Sequence, residues 1–144
     1  MGNNIKDFQW LIDNYQSYLT KLYPELDELI IEDKNWTEEN GYVFTEHSFF
    51  NNLTDYTKSL IEQKKSDDVK HLMEIAEILL EHGSENLYNA VATCYIENLV
   101  NSAFNSPDRV SFDSFIPYLG PKAKEYCRYW DEFMGGPKTP GVYD

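Results

Sequence analysis

Residues 66–104 read SDDVKHLMEIAEILLEHGSENLYNAVATCYIENLVNSAF, and the fold turns on how this stretch is read. Val69, Leu72, Met73, Ala76, Leu79 and Leu80 recur at intervals of three and four, the spacing that gathers side chains on one side of an α-helix. Ser66 is a good N-cap residue, and Asp67 and Asp68 place negative charge at the positive end of the helix dipole. Gly83 supplies a left-handed stop, and Ser84 caps a second helix at once. In that helix Leu87, Ala90, Val91, Cys94, Tyr95, Leu99 and Val100 form the apolar stripe, which runs to about Phe104. A link this tight obliges the two helices to pack antiparallel.

Upstream, Ile5, Phe8, Leu11, Ile12, Tyr15, Tyr18, Leu19 and Leu22 predict a helix from about residue 4 to 22, interrupted by Pro24. Phe49, Phe50, Leu53, Tyr56, Leu60 and Ile61 predict another from about Glu46 to Lys64. Between them the pattern is ambiguous. Leu26, Leu29, Ile30 and Ile31 suit a short helix, whereas Asn40-Gly41 beside Tyr42-Val43-Phe44 suits a type I′ turn with a strand fragment, so residues 25–45 are read as irregular. Downstream, Phe112, Phe115, Ile116 and Leu119 suggest a short helix ended at Gly120. Pro121 opens a last helix through Ala123, Tyr126, Cys127, Trp130, Phe133 and Met134.

The prediction is therefore all-α: a compact irregular bundle or a short HEAT-like array of five to six helices, with no fixed internal period to choose between them. Residues 1–134 are expected to form one helical domain and 135–144 a tail that either docks or floats. A chain of 144 residues with 42% hydrophobic and 15% aromatic residues has ample apolar surface for one core, without help from a disulfide or a metal.

Charge excludes some functions. Twenty-five acidic residues against 12 basic ones give −13, a balance that repels nucleic acid and anionic lipid. Direct nucleic-acid binding and membrane binding are not expected. No run approaches the roughly 18 apolar residues of a membrane span, and Met1–Lys6 carries no basic or apolar leader, which leaves a cytoplasmic location as the expectation. The acidity itself has two readings: plain solubility, or a field that draws in a basic protein.

The residues give little support for catalysis. His47, His71 and His82 belong to no metal-binding spacing, and His71 with Glu74, Ile78 and Glu81 reads as a solvated helix face. From Asp33 the loop glycine that calcium needs is replaced by Glu38. Cys94 and Cys127 lie 33 positions apart on apolar stripes and read chiefly as small core hydrophobes. No cofactor and no metal is expected, and the chain reads as a binding protein rather than an enzyme.

Its acidic concentration lies in one place. Glu25, Asp27, Glu28, Glu32, Asp33, Glu38 and Glu39 surround Trp36 and Tyr42, against Lys34 alone. Aromatic rings that anchor an interface, ringed by carboxylates that meet Arg and Lys, suit a basic protein partner. The bland alternative is a solvated loop whose rings tuck into the core.

Toward the C-terminus the chain carries Thr93-Cys94, Glu97-Asn98-Leu99, Leu119-Gly120-Pro121, Tyr126-Cys127, Trp130-Asp131 and Thr139-Pro140-Gly141. Over residues 84–144 this pattern resembles a family of small bacterial proteins without an assigned activity. The resemblance implies a helical fold and a bacterial source. Small acidic helical proteins of this kind look like the immunity proteins that neutralise contact-delivered bacterial toxins. The leading expectation is thus an immunity-type inhibitor that occludes a basic, nuclease-like toxin domain. The alternatives are a helical-repeat adaptor for peptides or regulatory proteins, and an enzyme with a dispersed site.

Overall fold

Seven α-helices follow one another in the computed structural model, which describes residues 7–143, and no strand occurs among them. They are α1 (Phe8–Leu22), α2 (Pro24–Glu39), α3 (Glu46–Glu62), α4 (Ser66–His82), α5 (Glu85–Val91), α6 (Glu97–Asn105) and α7 (Pro121–Met134). Ile5 and the rest of residues 1–6 lie outside the described part. Asp7 caps α1, its carboxylate accepting the Trp10 amide at 2.9 Å.

Helix α4 is the hub, packing on α1, α3, α5 and α7. Leu72, Met73, Ile75 and Leu79 from α4 meet Leu11 and Leu19 of α1, Phe49, Phe50 and Leu53 of α3, and Tyr95 in one buried cluster. Because α1 returns to touch α4, the helices close around that cluster, and the architecture is an irregular bundle instead of an open array.

Several local expectations change. Residues 25–45 are mostly regular, since α2 runs for 16 residues. Pro24 sits in its first turn, where the missing amide costs nothing, and Glu25 and Asp27 favour the dipole's positive end. Leu26, Ile30 and Thr37 give it a narrow buried stripe. Ser66 is the first residue of α4 and caps nothing; Lys65 holds the cap position without a side-chain bond. Gly83 is extended (φ −78°, ψ 169°), not left-handed. It is glycine because a Cβ there would stand 2.5 Å from the Leu79 carbonyl oxygen and 2.8 Å from Leu87 Cδ2, so α4 and α5 meet only with that atom missing. The helix expected at 112–119 is two 3-10 turns, Phe112–Ser114 and Ile116–Tyr118, because Pro117 lacks a donor and restricts Ile116.

The second helix of the decisive stretch is divided by a π turn at Ala92–Ile96. A wider turn advances the frame, so the buried set after Val91 is Ala92, Tyr95, Ile96, Leu99, Val100 and Ala103. Cys94 moves to the rim of the core, still packed against it but only half-buried.

The tail docks. Thr139 and Val142 are fully buried, and Asp131 accepts the Thr139 amide at 2.8 Å, its hydroxyl at 2.7 Å and the Tyr143 phenol at 2.6 Å. Arg128 donates to the Val142 carbonyl at 2.6 Å.

Candidate functional site

Helix α2 carries all but one of the residues singled out for a partner. Its last turn holds Glu38 and Glu39 and no basic residue. Carboxylates there oppose the negative end of the dipole, at a cost of about 0.3–1 kcal/mol each. Helix stability therefore does not account for them.

At 100° per residue, Glu25, Glu28, Glu32, Trp36 and Glu39 share an arc of about 80° on one flank of α2. Asp27 and Glu38 lie on the opposite flank beside Lys34, so the seven acids do not form one continuous patch. Asp33 turns toward α3, where its Oδ2 accepts from Asn52 Nδ2 at 2.7 Å. Neither aromatic ring is tucked into the core: Trp36 is 54% exposed and Tyr42 65%. The chain turns back at Asn40 and Gly41, and the Tyr42 amide bonds the Thr37 carbonyl at 2.8 Å. Tyr42 thereby stacks flat on Trp36, with centroids 5.6 Å apart and planes 5° from parallel. Phe44 goes the other way, packing on the core with Lys34 Nζ 5.1 Å above its ring.

A groove of about 520 Å³ opens between α2 and α3, with Trp36 at its edge. Leu29, Glu32, Asp33, Asn52 and Asp55 line it, and no cation does. A second cleft of about 630 Å³ lies between the end of α3 and the loop after α6. There Lys64, Lys65 and Arg109 meet Glu62, Asp108 and Asp113, so the charges cancel. Arg109 also grips Glu62 with two bonds of 3.1 and 3.3 Å, which hold that carboxyl below its usual range. Only the α2 groove is uniformly acidic of these two.

Two histidines are placed in ways their spacing does not reveal. His71 is half-buried and meets the Tyr18 hydroxyl at 3.2 Å, tying α4 to α1, so the face with Glu74, Ile78 and Glu81 is only partly solvated. His47, in the first turn of α3, brings Nδ1 to 3.2 Å from Cys94 Sγ. The partners are 47 positions apart, and the π turn that sets Cys94 at the rim of the core leaves no mark in composition, so no sequence signal points to the pair. Cys127 is buried in α7, and burial pushes its thiol up to about 12, with Asp131 adding to the rise. Among the described residues no three His, Cys, Asp or Glu side chains converge as a metal site, and no helix is long and apolar enough to cross a membrane.

A family described as "Domain of unknown function (DUF7674)" matches residues 17–135, which takes in α2 to α7 and the last part of α1. No curated protein and no solved structure matches the chain.

Proposed function

The chain belongs to the family of the domain of unknown function DUF7674, and from that premise we propose that it is a binding protein, an immunity-type inhibitor of bacterial origin that seats the acidic flank of α2 in the basic cleft of a nuclease-like toxin domain. The observation that carries this is the stacked, exposed Trp36–Tyr42 pair, with Trp36 on the flank of α2 that also carries Glu25, Glu28, Glu32 and Glu39. Two rings already held against each other lose little freedom on binding, and aromatic anchors of this type dominate interface energies. The glutamates stand where phosphates would bind the partner, and they steer a cationic surface toward the anchor. Asp27 and Glu38, on the far flank, add to the field without touching.

The test is affinity purification from the source cells at low and moderate salt, with Glu28→Lys/Glu32→Lys and Trp36→Ala beside the wild type. A basic partner is expected on the wild type and lost from the charge-reversed variant. Trp36→Ala weakens it by about 2 kcal/mol, roughly 30-fold. Binding that is indifferent to salt and to Glu28 and Glu32 overturns the proposal.

A different surface favours the adaptor reading. Asn51, Asn98, Asn101 and Asn105 line a cleft of about 340 Å³ between α3 and α6. Side-chain amides both donate and accept, which suits a peptide backbone. Charge reversal at Glu28 and Glu32 leaves that kind of binding intact, whereas Asn101→Ala weakens it.

A further inference from the structure

We infer that Cys94 is a base-assisted thiol, a modification site at which small-molecule disulfides and other soft electrophiles add to the protein. Three features of the structure bring this about. The π turn Ala92–Ile96 moves Cys94 from the middle of the buried stripe, where ordinary helical spacing would put it, to the rim of the core, where it is half-buried. Single π turns are costly and recur where a side chain is being aimed. The backbone at this position is then pinned from two sides: the Cys94 carbonyl accepts from Thr54 Oγ1 at 2.6 Å and from Asn98 Nδ2 at 2.8 Å. Finally, the sulfur meets a base. His47 Nδ1 stands 3.2 Å from Sγ, and the Thr93 hydroxyl lies 3.7 Å from it on the neighbouring position.

A thiolate is the nucleophilic form of cysteine, and a neighbouring imidazole that takes the proton supplies it. With the ring hydrogen on Nε2, Nδ1 accepts the Cys94 proton. The thiolate then attacks one sulfur of a disulfide. The new bond joins Sγ to that sulfur as the old sulfur–sulfur bond breaks, and the leaving thiolate takes the proton from His47. Cys94 is oxidised and the departing half is reduced, so no other oxidant is needed. Exposed His47 and half-buried Cys94 leave the approach open, unlike Cys127 in the core.

The experiment uses the folded full chain. Iodoacetamide is added, and alkylation at each cysteine is followed by peptide mass spectrometry. Cys94 is expected to react at least about tenfold faster than Cys127, and His47→Ala to slow it about fivefold or more. His47→Gln keeps a polar side chain at this exposed position but removes the base, and it slows the reaction equally. With oxidised glutathione in place of iodoacetamide, one glutathione adds to the wild type at Cys94 and none to Cys94→Ser. If Cys94 reacts no faster than Cys127, or if His47→Gln reacts at the wild-type rate, the inference is overturned. Circular dichroism of each variant keeps a loss of fold separate from a loss of the base.

Discussion

Thr57 and Tyr95 meet inside the core, both without measurable exposure, and their oxygen atoms lie 2.8 Å apart. Thr57 spends its own hydrogen on the Leu53 carbonyl at 2.8 Å, so the Tyr95 phenol is the donor of the pair. The two truncations are therefore unequal. Tyr95→Phe removes a donor and leaves Thr57 bonded to Leu53, at a cost of about 1 kcal/mol. Thr57→Val leaves the phenol buried without an acceptor, and costs about 1–3 kcal/mol. In a chain of this size each kcal/mol moves Tm by about 2–4 °C, so thermal unfolding should rank the variants wild type, Tyr95→Phe, Thr57→Val. Equal losses would mean that the phenol finds a second partner. The apolar stripe predicts that Tyr95 points inward, but Thr57 lies 38 positions away, and only packing identifies it as the partner.

Helix α7 is capped by a different helix. Glu77 of α4 accepts the Lys122 amide at 2.7 Å and the Ala123 amide at 3.0 Å, filling the place of a local N-cap side chain that Gly120 cannot supply. A Cβ on Gly120 would fall 2.4 Å from the Glu77 side chain, where the capping carboxylate lies. Glu77→Ala should cost about 1 kcal/mol, the usual worth of a cap. Gly120→Ala should cost a similar amount by evicting the carboxylate. The two changes are not additive, because in the Glu77→Ala background the added methyl no longer collides with the carboxylate and restricts the unfolded chain. A double variant as unstable as the sum of the singles, measured by urea unfolding, would refute the cross-helix cap. The other elements show what could be read in advance. Helices α1, α3, α4 and α7 follow from wide apolar stripes. Helix α2 does not, because Ile31 and Trp36 are exposed while its buried stripe is as thin as Leu26, Ile30 and Thr37. With so little periodicity, Asn40-Gly41 pointed equally well to a hairpin, whereas that dipeptide ends a helix. The candidate site was half legible for the same reason. Composition located the acids and rings, but their division between two flanks needed the helical frame, and the Cys94–His47 contact needed the π turn.

At the scale of the whole molecule, buried phenols and a buried thiol carry a common consequence. Burial pushes the Tyr15 phenol up to about 12, with Glu46 beside it adding to the rise. Burial raises Tyr23, Tyr95 and Tyr126 as well, with Asp68 contributing at Tyr23 and Glu97 at Tyr126, and Cys127 reaches about 12 from 9. In each case the folded state holds its proton more tightly than the unfolded chain. Below the unfolded values both states are protonated and the stabilisation is complete. As pH climbs past 9 for the thiol and 10 for the phenols, the unfolded chain sheds protons that the native chain keeps, and stability falls until the folded values are crossed. Each proton lost also adds negative charge to a chain already at −13. Melting curves should therefore be flat between pH 7 and about 9 and drop steadily from there to pH 11, with part of the loss recovered in about 0.5 M salt as repulsion is screened. Salt cannot restore the part due to buried hydroxyls, so the recovery is incomplete. A Tm that holds through pH 11 would show that these side chains are exchanging with solvent, and that the core drawn around Tyr95 opens more readily than its packing implies.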